Sequence, residues 1–115
     1  MARTALTPVA VGAAGVVLPD AGTAAQLTDG NSYLWAQGRR LYVHNGDSTD
    51  LTVTVQTPAT SAMGLAIADA TYTVAAGKAR LLPAAGLETR RTSDGAVWVD
   101  YTGADTGVTV AVLDL

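Results

Sequence analysis

Apolar and polar residues alternate with a period of two wherever this chain shows a pattern. In Leu51-Thr52-Val53-Thr54-Val55-Gln56-Thr57 the leucine and valines fall on one face and the threonines and glutamine on the other. That is the mark of a half-buried antiparallel strand. Gly107-Val108-Thr109-Val110-Ala111-Val112-Leu113 repeats it, with Val108, Val110 and Val112 on one side. Val97, Val99 and Tyr101 alternate with Ala96, Trp98 and Asp100, which predicts a strand covered on both faces. Arg40–His44, Ala70–Val74 and a short Lys78–Leu82, ended by Pro83, read as further strands. A strand over Thr4–Val11 would contain Pro8 and so belong at a sheet edge.

Turn residues separate these runs. Asn45-Gly46-Asp47 predicts a hairpin loop between the Tyr42 and Val53 strands, and Ala75-Ala76-Gly77 a tight connection from Val74 to Lys78. Ser93-Asp94-Gly95 leads into the Trp98 strand, and Thr102–Thr106 joins that strand to the last one. Ala59–Ala70 is the segment richest in helix formers, but Thr60 and Gly64 weaken it and it has no polar stripe. The expected fold is therefore all-β: a single-domain antiparallel β-sandwich or jelly-roll of roughly seven short strands. Residues 1–32 carry four glycines and little regular pattern. They read as an extended N-terminal arm and loop, with the sandwich occupying residues 33–115.

Composition agrees with one compact domain. The chain has 115 residues, 49% hydrophobic and 15% charged, which excludes a disordered tail or a coiled coil. Seven Lys+Arg against ten Asp+Glu leave a net charge of −3. That balance argues against a general nucleic-acid binder, whose affinity rests on clustered cations. The apolar run Val9–Leu18 is about half the length of a membrane span. After Arg3 it imitates a signal peptide in outline, but Pro8, Gly12 and Gly15 make it a weak one, so neither a membrane nor a secretory route is expected.

Candidate chemistry is sparse. With no cysteine there is no disulfide, thiolate nucleophile or Cys-ligated zinc. His44 is the lone histidine; Ser32, Ser48, Ser61 or Ser93 could join it in a triad, but no Gly-x-Ser-x-Gly elbow occurs. Asn45, Asp47 and Asp50 make a loosely calcium-like loop without the spacing or terminal Glu of a calcium site. These acids, like Asp20, Asp29, Asp69, Asp94 and Asp105, read as turn residues. No phosphate-binding glycine motif is present. No catalytic, metal or cofactor site is expected. Arg39-Arg40 and Arg90-Arg91 read as strand ends or ion-pair partners. The aromatics Tyr33, Trp35, Tyr42, Tyr72, Trp98 and Tyr101 read as core or interface anchors.

Several stretches together resemble a known group of proteins. They are Met1-Ala2-Arg3-Thr4-Ala5-Leu6-Thr7-Pro8-Val9, Gly38-Arg39-Arg40-Leu41-Tyr42-Val43-His44-Asn45-Gly46-Asp47 and Thr52-Val53-Thr54-Val55-Gln56-Thr57-Pro58. Val97-Trp98-Val99-Asp100-Tyr101 followed by Val108-Thr109-Val110-Ala111-Val112-Leu113 belongs to the same pattern. In these the chain is similar to small virion structural proteins of tailed phages that infect actinobacteria. The resemblance implies a capsid decoration (cement) protein on the head exterior, present in the host cytoplasm during assembly. It carries over no catalytic residue. The partners expected from it are the major capsid protein and further copies of the chain, as a homotrimer on a threefold lattice position. The alternatives are a head–tail connector or a tail- or fibre-associated subunit, then a carbohydrate-binding β-module, and last a small enzyme. The interface residues expected are Leu6, Val9 and Val11 on the arm, with Tyr33 or Trp35 as anchor.

Overall fold

A computed structural model describes residues 3–18, 22–60 and 62–114. Met1, Ala2, the Pro19 end of the arm, the turn residue Asp20, Ala21, the triad candidate Ser61 and Leu115 lie outside them. The chain is an all-β sandwich of two mixed sheets. Among the described residues the strands number ten rather than seven: β1 (Thr4–Ala5), β2 (Val9–Ala10), β3 (Thr23–Ala24), β4 (Asn31–Leu34), β5 (Arg39–Asn45), β6 (Leu51–Val55), β7 (Ala70–Val74), β8 (Ala79–Leu81), β9 (Ala96–Thr102) and β10 (Val108–Asp114). The extra ones are short, and one expected strand is divided. The only helical turn among the described residues is the 3₁₀ segment Leu87–Thr89.

One sheet has the order β1-β4-β9-β6-β7, the other β2-β10-β5-β8, with β3 sharing the free edge of β10 beside β2. β4 pairs with β9 in the first sheet while their successors β5 and β10 pair in the second. Two arches are thereby locked against each other, and the apolar faces of the longer strands β5, β6, β9 and β10 are turned inward. Val53, Val55, Val99, Val108, Val110 and Val112 are all buried, as their alternation predicts, together with Leu41, Val43, Leu51, Val74, Leu82, Val97 and Tyr101. The outer face of β9 is also covered, because Trp98 lies under the Arg3 and Arg91 guanidiniums.

The Asn45-Gly46-Asp47 loop is not a hairpin: β5 and β6 belong to opposite sheets, so residues 46–50 form an arch. Asn45 decides this. Fully buried, it donates from Nδ2 to the carbonyls of Thr49 and Val74 at 2.8 and 3.0 Å, and its Oδ1 accepts the Asp47 amide. Its backbone carbonyl accepts the Gly77 amide of the neighbouring β7–β8 arch. Gly46 lies against the Gly107 carbonyl, where a Cβ would collide. Asn45→Ala leaves the backbone groups of buried Val74, half-buried Asp47 and exposed Thr49 without these partners. The expected loss is about 3 kcal/mol, read as a lowered urea midpoint with an unchanged slope.

The expected N-terminal strand divides at Leu6-Thr7-Pro8. β1 pairs with β4 and β2 with β10, both in parallel, so the sheets are mixed rather than purely antiparallel. The arm thus crosses from one sheet to the other and closes one flank of the sandwich. Leu6 enters the core at the crossing. Asn31, fully buried, holds the arm: it donates to the Thr4 carbonyl at 3.0 Å, while its Oδ1 accepts the Tyr101 hydroxyl at 2.8 Å and the Gln26 amide at 3.1 Å. The backbone pairing of β1 and β2 is made with β4 and β10 of the same chain.

Candidate interaction surface

The opposite flank, between the edge strands β7 and β8, is built differently. Arg80 closes its upper part, stacking over Tyr72 at 5.6 Å and donating to the Thr73 carbonyl at 3.0 Å. Below it lies a cavity of about 180 Å³, lined by Val55, Ala70 and Tyr72 on one side and by Leu41 and Leu82 on the other. Segment 83–89 forms its rim, and Ile67 and Ala68 reach it from the β6–β7 loop. Tyr33, whose side chain ends in a hydroxyl, lines the cavity and is 4% exposed. Burial pushes that hydroxyl up to about 12, only partly offset by the nearby Arg39.

The β6–β7 loop, residues 56–69, projects as a finger. The Thr57 amide donating to Asp69 and the Ala59 amide donating to the Glu88 carbonyl hold its base; a Thr60–Ala66 bridge narrows its tip. Met63 is 87% exposed, Leu65 67% and Ile67 38%, with Leu87 on the rim at 58%. Residues 56–68 and 82–87 contain no charged side chain. Exposed apolar groups gathered beside a hollow of mixed lining make this flank the candidate interaction surface.

The residues expected at an interface are placed as follows. Leu6 and Tyr33 belong to the chain's own core. Val9 and Val11 are half-buried on the arm, and Val9 with Leu6 lines a hollow of about 400 Å³ beneath it. Trp35 is half-buried and donates from Nε1 to the Ala85 carbonyl at 2.9 Å, which fixes the pocket rim. The structure brings Tyr33 and Trp35 together around the pocket and leaves the arm residues on the other flank. The finger was missed by reading the segment for helix; its signal is thirteen consecutive residues without charge.

The other candidates have local roles. His44 lies half-buried on the outer face of the second sheet, between Ala79 and Thr109. No carboxylate or hydroxyl hydrogen-bonds to it among the described residues. Ser32 sits in the opposite sheet, and Ser48 is bonded to Asp47. Asp47 also accepts the Asp105 amide, and Asp50 accepts that of Ala76. Among the described residues no three His, Asp or Glu side chains form a group able to hold a metal ion, and no helix is long and apolar enough to cross a membrane.

Most cations are held within the chain. Arg39 forks onto Asp114 at 2.6 and 3.1 Å. Arg91 stacks over Trp98 at 3.7 Å and donates to Gln56, leaving its own Nε buried without a partner. Arg3 stacks over the same ring at 4.5 Å and pairs with Asp100 at 2.7 Å. It reaches that carboxylate across Gly30, whose φ of +84° and missing Cβ make the passage possible. Partial burial alone would raise the Asp100 carboxyl, but hydrogen bonds from Arg3 and Gln56 outweigh it and hold the group below its ordinary value. The folded chain therefore binds that proton less readily than the unfolded chain. The resulting stability is complete above the ordinary Asp value, about 3.9, and is lost as pH falls through the depressed one. Asp100→Asn should flatten the fall of melting temperature below about pH 4, measured by scanning calorimetry against the parent chain.

A scan of protein-family models, a search of curated proteins and a search of solved structures each give no match to this chain.

Proposed function

We propose that this chain is a structural protein of a tailed-phage virion, a decoration subunit that binds the outside of the assembled head and stabilises it. Its partners are the major capsid protein and further copies of itself. The observation that carries the reading is the β6–β7 finger, without a charge over residues 56–68, with Met63, Leu65 and Ile67 exposed beside a pocket lined in part by aliphatic and aromatic side chains. Such a surface suits repeated protein contacts, in which weak individual bonds become durable once several are made together. The resemblance to phage virion proteins supplies the identity of the shell.

The test is location and number. Purified particles of the phage encoding the chain, analysed by quantitative mass spectrometry against the major capsid protein, should contain hundreds of copies. Absence from the particle would remove the virion role. A stoichiometry of about six or twelve, the closed rings of a portal vertex, would move the chain to a connector.

A further inference from the structure

Asn45 is followed by Gly46. In an asparagine–glycine pair no Cβ shields the next main-chain nitrogen, so the asparagine side chain is open to attack by it. We propose that Asn45-Gly46 is a latent deamidation site, held inert by the closed β5–β6 arch and reactive once that arch opens. Its conversion weakens the arch permanently.

The reaction is internal. The Gly46 main-chain nitrogen attacks Asn45 Cγ: the N–Cγ bond forms and the Cγ–Nδ2 bond breaks. Nδ2 leaves as ammonia, carrying the proton that the Gly46 nitrogen gives up. Water then opens the cyclic imide. Cleavage of N–Cγ leaves an aspartate at this position. Cleavage of the bond to the main-chain carbon leaves an isoaspartate, whose chain runs through the former side chain.

Every reacting group is occupied in the fold. The Gly46 N–H donates to the Gly107 carbonyl at 2.9 Å. The leaving nitrogen, Nδ2, donates to the Thr49 and Val74 carbonyls at 2.8 and 3.0 Å, and Oδ1 accepts the Asp47 amide at 3.0 Å. The Asn45 main chain is fixed as well, its N–H donating to the Lys78 carbonyl at 2.8 Å and its carbonyl accepting the Gly77 amide at 2.9 Å. At 0% exposure the residue is also shut off from the water that completes the reaction.

The same contacts make the products fit badly. Aspartate would turn a carboxylate oxygen towards the Thr49 and Val74 carbonyls, acceptor against acceptor in a buried site. Isoaspartate would insert a methylene into the main chain before Gly46. That glycine has no slack, since even a Cβ built on it would lie 2.7 Å from the Gly107 carbonyl oxygen. Asn31, the other asparagine, is equally buried but precedes Ser32, whose side chain hinders the corresponding attack.

The test incubates the parent chain in mildly alkaline buffer and, separately, in denaturing guanidinium chloride at the same pH and temperature. Mass spectrometry of the digested chain reads conversion at each asparagine. Conversion at Asn45 should be at least about a hundredfold slower in buffer, and in denaturant it should outpace conversion at Asn31. Converted chains, separated by their added negative charge, are returned to buffer. Their urea midpoint should lie below that of unconverted chains given the same exposure to denaturant. Asn45→Asp, made directly, should show a lowered midpoint too. Comparable rates at Asn45 in buffer and denaturant would overturn the protection by the fold. Slower conversion at Asn45 than at Asn31 in denaturant would overturn the choice of site. Converted chains with an unaltered midpoint, or Asn45→Asp as stable as the parent, would overturn the weakening of the arch.

Discussion

Val110→Asp should abolish the folded state. Val110 is 1% exposed at the centre of β10, the strand that pairs with β5 along its whole length and carries both β2 and β3 on its other edge. The new carboxylate would face Leu41, Val43 and the valines of the opposite sheet, with no cation in reach of that core. An unpaired buried charge costs several kcal/mol beyond the lost packing, and about 5 kcal/mol is already a large share of a small domain's total stability. The expected outcome is a chain without cooperative unfolding and without dispersed amide resonances. Val110→Ala, a truncation on the same site, should remain folded and lose only about 2 kcal/mol. A cooperatively melting Val110→Asp variant would show that the sheets do not enclose this position.

Removing residues 1–11 should have the second-largest effect, on solubility as well as stability. The arm pairs with the edges of both sheets through β1 and β2, fills the flank with Leu6, and satisfies Asn31 through the Thr4 carbonyl. Without it, β4 and the C-terminal half of β10 become bare edges, the usual sites of edge-to-edge aggregation. The buried Asn31 amide group loses its acceptor at the same time. A loss of about 4 kcal/mol follows from the emptied Leu6 site and the orphaned amide. The measurements are denaturant unfolding and sedimentation of the truncated chain. An equally stable, monodisperse truncation would show that the arm is dispensable to the fold. Leu6→Ala, which keeps the backbone pairing, separates the two contributions and should cost about 2–3 kcal/mol without aggregation.

The long strands were legible in the sequence because period-two alternation is a direct imprint of one buried face. Leu51–Val55 and Val108–Val112 show it, and their valines lie where the pattern puts them. The connections were not legible. A five-residue link such as 46–50 can close a hairpin or span two sheets, and the choice rests on Asn45, whose type suggests an exposed turn but whose side chain is a buried hub. The arm was expected to be extended and Pro8 to mark an edge. Its change of sheet was hidden because β1 and β2 are only two residues each, too short to display a period. Tyr33 and Trp35 were read as anchors from residue type alone, which does not say whether a ring faces a partner or the chain's own core. The finger carries an apolar, uncharged composition that could also serve a buried helix; Gly64 and the missing polar stripe exclude the amphipathic helix but do not reveal a projecting loop.

The most direct test of the virion role adds the purified chain to heads of its phage assembled without it and images the product by electron cryomicroscopy. The account predicts added density of this sandwich at regularly repeated positions over the outer shell, and heads that withstand heating and low ionic strength better than bare ones. Heads that gain no density, or that gain it without any increase in stability, would contradict it.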